Sequence, residues 1–210
     1  MDLINFELES GVPVKIIDNF YTDDELKLIW EELDFLTYFD KLQPPEETAT
    51  AQNPDGTSRK QNRGLFLDTV WLNQRNLSNI LKVNRKIFEN EMALIKDSPS
   101  WFFKNLLCDR DTTLISYYEN TDHYKPHRDS VNVTVLTWFF KEPKRFSGGD
   151  LILYSGDENS ERRVIEVCNN RVVIFPGSTL HEVPKISIDP MYQNQKLGRY
   201  CMSQFLSFTP

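Results

Sequence analysis

His127-Arg128-Asp129, closing an extended stretch that opens Tyr124-Lys125-Pro126, is the segment on which the reading of this chain turns. In extended backbone, side chains two residues apart point to one side, so His127 and Asp129 face together while Arg128 points away. A third donor, His181, lies on a later β-like run and can complete a face of two imidazoles and one carboxylate. Such a set leaves three positions of an octahedral Fe(II) open. The 210 residues hold only three histidines, and two of them stand where this triad needs them. His123 is four residues before His127, the spacing of a helical zinc pair, but Pro126 and the β-like surroundings argue against a helix there. It reads as a loop residue.

The text around this segment is β-rich. Apolar runs span Thr113 to Tyr118, Val131 to Phe140, Leu151 to Tyr154, Arg163 to Cys168, Arg171 to Phe175 and Tyr200 to Phe208. Turn signals divide them: Glu119-Asn120-Thr121-Asp122, Ser147-Gly148-Gly149-Asp150, Asn169-Asn170 and Pro176-Gly177. Short strands at this spacing predict a double-sheet jelly roll, a double-stranded β-helix. Gly148 and Gly149 are read as residues needed for positive φ in a turn.

The first half of the chain has another texture. Val14 to Phe20 reads as a strand, followed by a helix opened by Thr22-Asp23-Asp24-Glu25, a capping box with Leu26, Ile29, Trp30 and Leu33 on its inner face. Gly64 to Asp68 reads as a further strand. Leu77, Ile80, Leu81, Phe88 and Met92 mark one face of a long helix, and a second helical stretch is expected over Ser100 to Leu107. Residues 40–63, with Pro44-Pro45 and Asn53-Pro54-Asp55-Gly56, show no helical period and read as a long loop or loose hairpin, a candidate lid. The expected fold is mainly β with an α annex: one domain over 1–210, with helical support and the lid segment in 1–110 and the jelly-roll core in 111–210.

Composition bounds the function. Hydrophobic residues make up 40%, including 14 Phe, 8 Tyr and 4 Trp, enough to fill a sizeable core. A formal charge of −7 offers no positive field for phosphates, so nucleic acid is not an expected partner. The cysteines Cys108, Cys168 and Cys201 are odd in number and unpaired in spacing, which favours a reducing compartment over a disulfide framework. No apolar stretch approaches membrane-spanning length, so the expectation is a cytoplasmic protein without a membrane partner.

From about Tyr117 to Phe208 the chain resembles the Fe(II)- and 2-oxoglutarate-dependent dioxygenases, in particular their prolyl 4-hydroxylase-like branch. The resemblance is carried by Tyr117, ten residues before His127, by Tyr124 to Asp129, and by the run Val133 to Phe140. It continues through Ser147 to Leu151, Val172 to Gly177, Leu180-His181-Glu182-Val183 and Gly198-Arg199-Tyr200. It implies His127, Asp129 and His181 as iron ligands and catalytic centre, and Arg199 as the bidentate partner of the distal carboxylate of 2-oxoglutarate. It also implies that Tyr117 hydrogen-bonds this co-substrate, with Tyr124 lining the pocket. Fe(II), 2-oxoglutarate and O2 follow as cofactor and co-substrates, and ascorbate is admitted as an accessory reductant.

The activity implied is hydroxylation of an unactivated C–H, with proline in a peptide or protein as first choice of substrate. A free amino acid or small molecule is the alternative within the superfamily, and a catalytically silent binding or sensor module is the alternative from another class. Asp129 occupies the position that halogenating relatives leave vacant. Phe205 stands where nucleic-acid demethylases carry a second arginine. One departure concerns residues 182–198, longer than the family's usual link, so that Arg199 reaches the site only if an inserted loop folds outward. Arg171 is the competing arginine, but it precedes His181 and is out of order. Lys196 is the other candidate for the role should Arg199 not fill it.

Overall fold

The computed structural model describes residues 2–48 and 52–208. The chain opens with an antiparallel pair, β1 (Asp2–Glu7) and β2 (Pro13–Asp18), in register from Asp2↔Asp18 to Glu7↔Pro13. The sequence reading placed no strand on Asp2–Glu7, which is edge-exposed and lacks a clean alternation.

Helix α1 (Asp23–Tyr38) begins as its sequence requires: Thr22 Oγ1 accepts from Glu25 N at 3.3 Å, and Glu25 Oε2 accepts from Thr22 N at 2.7 Å. Two orphan amide donors of the first turn are thereby satisfied reciprocally. Ile29, Leu33 and Leu36 are buried on its inner face, and Trp30 packs edge-on against Tyr200 at 5.2 Å.

Residues 40–63 are more ordered than a free loop. A 3-10 turn covers Pro45–Thr48, Gln43 pairs with Gly64, and the segment ends in the two-residue strand β3 (Lys60–Gln61). Part of it, 49–51, lies outside the described residues. Strand β4 (Arg63–Phe66) leads into the short helix α2 (Leu67–Val70).

The single long helix expected over 77–92 is instead broken into pieces. A 3-10 turn (Arg75–Leu77), α3 (Asn79–Val83), a second 3-10 stretch (Asn84–Phe88) and α4 (Glu89–Lys96) follow one another. The break has local causes. Ser78 Oγ accepts from Leu81 N at 3.0 Å, starting a new helix there, and Asn84 Nδ2 donates to Thr113 Oγ1 at 2.7 Å, tying the next turn to a strand. Of the stretch expected over 100–107, only α5 (Trp101–Lys104) is helical.

The second half is almost all strand: β5 (Arg110–Tyr118), β6 (His123–His127), β7 (Val133–Phe139), β8 (Phe146–Gly148), β9 (Leu151–Tyr154), β10 (Arg162–Ile165), β11 (Arg171–Pro176), β12 (His181–Val183), β13 (Ile186–Ile188) and β14 (Arg199–Ser207). They form a seven-stranded sheet, β1-β2-β11-β7-β14-β5-β4, and a five-stranded sheet, β10-β9-β12-β6-β3, with β13-β8 as a small ribbon. This is the mainly β jelly-roll architecture with a helical annex.

Two apolar layers hold it together. One joins the helices to the outer face of the large sheet through Ile29, Leu33, Phe103, Ile115, Phe139, Val172, Tyr200 and Met202. The other fills the space between the sheets with Leu136, Trp138, Leu151, Leu153, Val173, Phe175 and Cys201. Odd and even positions of β14 thus serve different layers, as the period of two demands. Gly148, the last residue of β8, and Gly149, which follows it, both carry positive φ, +70° and +71°, where the chain turns toward β9.

Candidate metal centre

The ligand positions follow from register. His181 at the start of β12 is directly opposite His127 at the end of β6, so the two rings project side by side with centroids 4.1 Å apart. Asp129 is two residues beyond the strand, held there by its amide donating to Gly177 O at 2.9 Å. Its Oδ2 accepts from the buried Thr134 hydroxyl at 2.6 Å. The carboxylate comes within 3.8 Å of His127 Nε2 and 3.6 Å of His181 Nε2. One donor atom from each of the three residues lies within 4.8 Å of the others.

Both rings are oriented from behind. His127 Nδ1 is bonded to Lys125 O and His181 Nδ1 to Thr179 O, each at 2.9 Å. A carbonyl can only accept, so Nδ1 carries the proton and the Nε2 lone pair is left facing the partner ligands. Burial, followed by the neighbouring His181, holds the His127 pKa well below the ordinary imidazole value, which keeps it neutral and able to ligate. Tyr124 stacks on His127 with ring centroids 3.4 Å apart and an interplanar angle of 13°, and Phe175 packs edge-on to His181 at 5.0 Å.

Arg199 lines the same cavity as the three ligands. It is 0% exposed, and among the described residues its Nε, Nη1 and Nη2 all lack a hydrogen-bond partner. The ring faces of Tyr118 and Trp138 flank it, at 4.8 and 5.5 Å from Cζ. A buried guanidinium with every donor idle is costly unless an anion completes it. Residues 182–198 do fold outward, through β13 and a 3-10 turn at Pro190–Tyr192, and return the chain to β14 at Arg199. Gly198 is needed at the re-entry, because a Cβ there would lie 2.0 Å from Tyr118 O. The competitor Arg171 is taken up by Asp18, at 2.6 and 2.8 Å, on the far strand β2.

Tyr117 does not reach this cavity. Its hydroxyl donates to Glu119 Oε2 at 2.8 Å and accepts from Gly198 N at 3.1 Å, on the helix side of the sheet. Register decides the matter: Arg199 pairs with Tyr118, whereas Tyr117 pairs with Tyr200. Tyr118 therefore lines the cavity beside Arg199, and Tyr117 faces the opposite layer. His123 stands apart from the cluster, with Nδ1 bonded to Thr121 O at 3.2 Å.

Sequence reasoning passed over three further residues of the site. Thr134 orients the carboxylate, Tyr118 flanks the arginine, and Lys60 projects into the cavity from β3. Lys60 is only 4% exposed, and burial draws its pKa down to about 8. Alternation along β5 and β14 was the available signal for Tyr118; for Lys60 the sequence carries none.

Residues 113–207 match the family model of the 2OG-Fe(II) oxygenase superfamily. Over those residues the core is similar to that of the 2OG-Fe(II) oxygenases. A PKHD-type hydroxylase of Parvibaculum lavamentivorans is 26% identical over 105 residues, which are 50% of this chain and 46% of that protein, so the match spans about half of the relative. Among solved structures, a prolyl hydroxylase from Trichoplax adhaerens, in complex with a hypoxia inducible factor oxygen degradation domain peptide fragment, has a TM-score of 0.65. It is 16% identical, with 92% of this chain and 83% of that one covered. A Pseudomonas putida prolyl-4-hydroxylase gives a TM-score of 0.58 at 12% identity, over 94% and 93% of the two chains. These likenesses show the fold.

The cofactor chemistry of the superfamily is Fe(II), with 2-oxoglutarate and O2, and the residues present fit it. The donor set of two Nε2 atoms and one carboxylate suits Fe(II) and leaves positions for co-ligands, and the idle Arg199 donors suit a carboxylate. Among the described residues, no helix is long and apolar enough to cross a membrane.

Proposed function

We propose that this protein is a 2-oxoglutarate-dependent dioxygenase that hydroxylates an unactivated C–H, with proline in a peptide or protein as substrate. The observation that carries the reading is the pairing, in one cavity, of the His127–Asp129–His181 cluster with a fully buried arginine whose donors are all idle. In this reading His127, Asp129 and His181 hold the iron, and Thr134 keeps the Asp129 carboxylate turned toward the two imidazoles. Arg199 binds the distal carboxylate of 2-oxoglutarate and so sets which end of the co-substrate faces the ligands. Tyr118 and Trp138 exclude water around that ion pair, which strengthens it. Tyr124 braces the His127 ring. Bound iron supplies the activation of O2: one oxygen atom goes to the succinate formed with CO2 from 2-oxoglutarate, and the other replaces the substrate C–H by C–OH.

The proline assignment is supported by the fold and by the names of relatives: two structural neighbours are prolyl hydroxylases and the sequence relative is a PKHD-type hydroxylase, all three distant in sequence. The test is turnover of the purified protein with Fe(II), 2-oxoglutarate and O2 across proline peptides and free amino acids. Succinate together with a mass gain of one oxygen on a proline peptide is the expected result. Absence of succinate under every substrate would overturn the enzymatic reading and leave a binding module, and oxygen gained elsewhere than proline would overturn the substrate.

A further inference from the structure

Lys60 is a buried cation that the chemistry described so far does not use. It sits on β3, the two-residue strand at the edge of the smaller sheet, paired opposite Tyr124 of β6. Its side chain lines the cavity that holds the triad and Arg199 and is 4% exposed. Among the described residues no carboxylate lies within ion-pair distance of Nζ, and Nζ donates no hydrogen bond; its one close partner is the Tyr124 ring, 5.7 Å from Nζ to centroid. Glu46 acts on it only as a distant charge. A lysine side chain buried this far beside the ligands, without a counter-ion, is unfavourable. Such a group is retained where a ligand supplies the missing charge.

The charges of the cavity indicate which ligand. The two positive charges of Fe(II) and that of Arg199 are matched by Asp129 and the two carboxylates of 2-oxoglutarate. Lys60 adds one positive charge beyond that balance, so the loaded cavity is complete only with one further anion. Distance limits where that anion can sit on the substrate. Nζ is 5.7 Å from the Tyr124 ring centre, which is 3.4 Å from that of His127, so the ammonium lies within about 9 Å of the His127 ring, a span of between two and three residues of extended chain.

We infer that Lys60 is a specificity-determining residue that binds a carboxylate of the primary substrate, placed on the hydroxylated residue or within two residues of it. The inference rests on the dioxygenase reading above and narrows its substrate class to acidic ones: a free amino acid, a C-terminal residue, or a peptide with Asp or Glu beside the target. An ammonium held at one point of a low-dielectric wall selects charge as well as position, because a neutral substrate would leave it unpaired.

The test reads binding rather than turnover. Protein loaded with Mn(II) and 2-oxoglutarate without O2 is titrated calorimetrically with paired probes. These are free L-amino acids against their primary amides, and proline peptides with Glu against Gln at each of the two positions on either side. At least one carboxylate probe is expected to bind ten-fold or more tightly than its neutral partner. That preference should fall below three-fold in Lys60→Met, return in part in Lys60→Arg, and leave 2-oxoglutarate affinity within three-fold. The amino-acid and peptide arms tell which carboxylate is read. Three results would each overturn the inference: no carboxylate preference in the unaltered protein, a preference that survives Lys60→Met, or a ten-fold loss of 2-oxoglutarate binding in that variant. The last would make Lys60 a co-substrate residue. Lys60→Gln gives the same reading should the Met variant fail to fold. A protein that forms no succinate but shows the Lys60-dependent preference would refute the dioxygenase reading and leave the anion site standing.

Discussion

Replacing Arg199 by Met tests whether the buried guanidinium is a co-substrate anchor or a structural residue, because the two roles move opposite quantities. In the free protein Arg199 has no hydrogen-bond partner among the described residues and no exposure, so its burial is offset chiefly by the Tyr118 and Trp138 rings. Each such ring contact contributes about 0.5–2 kcal/mol, against a desolvation cost of several kcal/mol for the ion. Met fills much of the same volume without the charge. The free Arg199→Met protein should therefore melt higher, by roughly 2–4 °C for each kcal/mol relieved in a chain of this size. With 2-oxoglutarate the order reverses. Stripping one partner from a desolvated ion pair costs about 3–5 kcal/mol, or between roughly a hundred-fold and a few thousand-fold in affinity. At 2-oxoglutarate a hundred times its Kd, the unaltered protein gains about 2.7 kcal/mol of stability, and the variant at the same concentration should gain almost none. The assay is thermal unfolding of Mn(II)-loaded protein with and without 2-oxoglutarate, paired with calorimetric titration. A free variant that melts lower, with its 2-oxoglutarate affinity within three-fold of the original, would refute the reasoning.

Other outcomes follow from the same geometry. Asp129→Ala should abolish binding of one divalent transition metal per chain while leaving the far-ultraviolet circular dichroism intact; metal bound at unaltered affinity would remove Asp129 from the ligand set. Replacing 46–58 with a short Gly/Ser linker, which spares Lys60, should leave metal and 2-oxoglutarate binding in place. If the segment closes the site, uncoupled 2-oxoglutarate decay rises and hydroxylation falls; unchanged hydroxylation would reduce it to a surface loop. Asp122 has its pKa raised from 3.8 to about 6, first by burial, so the fold favours its protonated form. The resulting penalty is absent below the unfolded value and full above about 6. Asp122→Asn should therefore gain stability over the original as pH rises through that window, by roughly 1–2 kcal/mol after allowance for solvent screening. Parallel stability–pH curves for the two proteins would contradict it.

What could be read from the sequence depended on how local the information was. The Thr22–Glu25 box and the spacing of Ile29 and Leu33 are contained in one helix, and they placed the start of α1 and its inner face. The convergence of His127, Asp129 and His181 was legible because chain order and residue type were both restrictive in a chain with three histidines. Tyr117 shows the opposite case. Two adjacent tyrosines lie on opposite faces of β5, and only the pairing of that strand with β14 decides which of them meets Arg199. A one-residue uncertainty there exchanges every side chain between layers. The apolar spacing from Leu77 to Met92 was helical, but Ser78 and Asn84 divert their side chains to a helix start and to Thr113, bonds across the fold that periodicity does not carry. Lys60 was hidden for a related reason. A two-residue strand within a polar stretch has no pattern, and its place beside Tyr124 arises from sheet pairing alone.

The position of β14 sets how this domain can assemble. It is the last described strand in chain order, yet it lies inside the large sheet, with Arg199–Ser207 against β5 and Tyr200–Leu206 against β7. Until it inserts, β4-β5 and β1-β2-β11-β7 share no hydrogen bonds and each presents an unpaired inner edge. Open edges of this kind are templates for pairing with other chains, so the half-assembled sheet is the species most exposed to aggregation. Closure of that gap also delivers Arg199 to the cavity. No intermediate lacking β14 can therefore present the arginine and the triad together, and recovery of 2-oxoglutarate binding during refolding should report completion of the whole sheet rather than of the smaller one that carries the histidines.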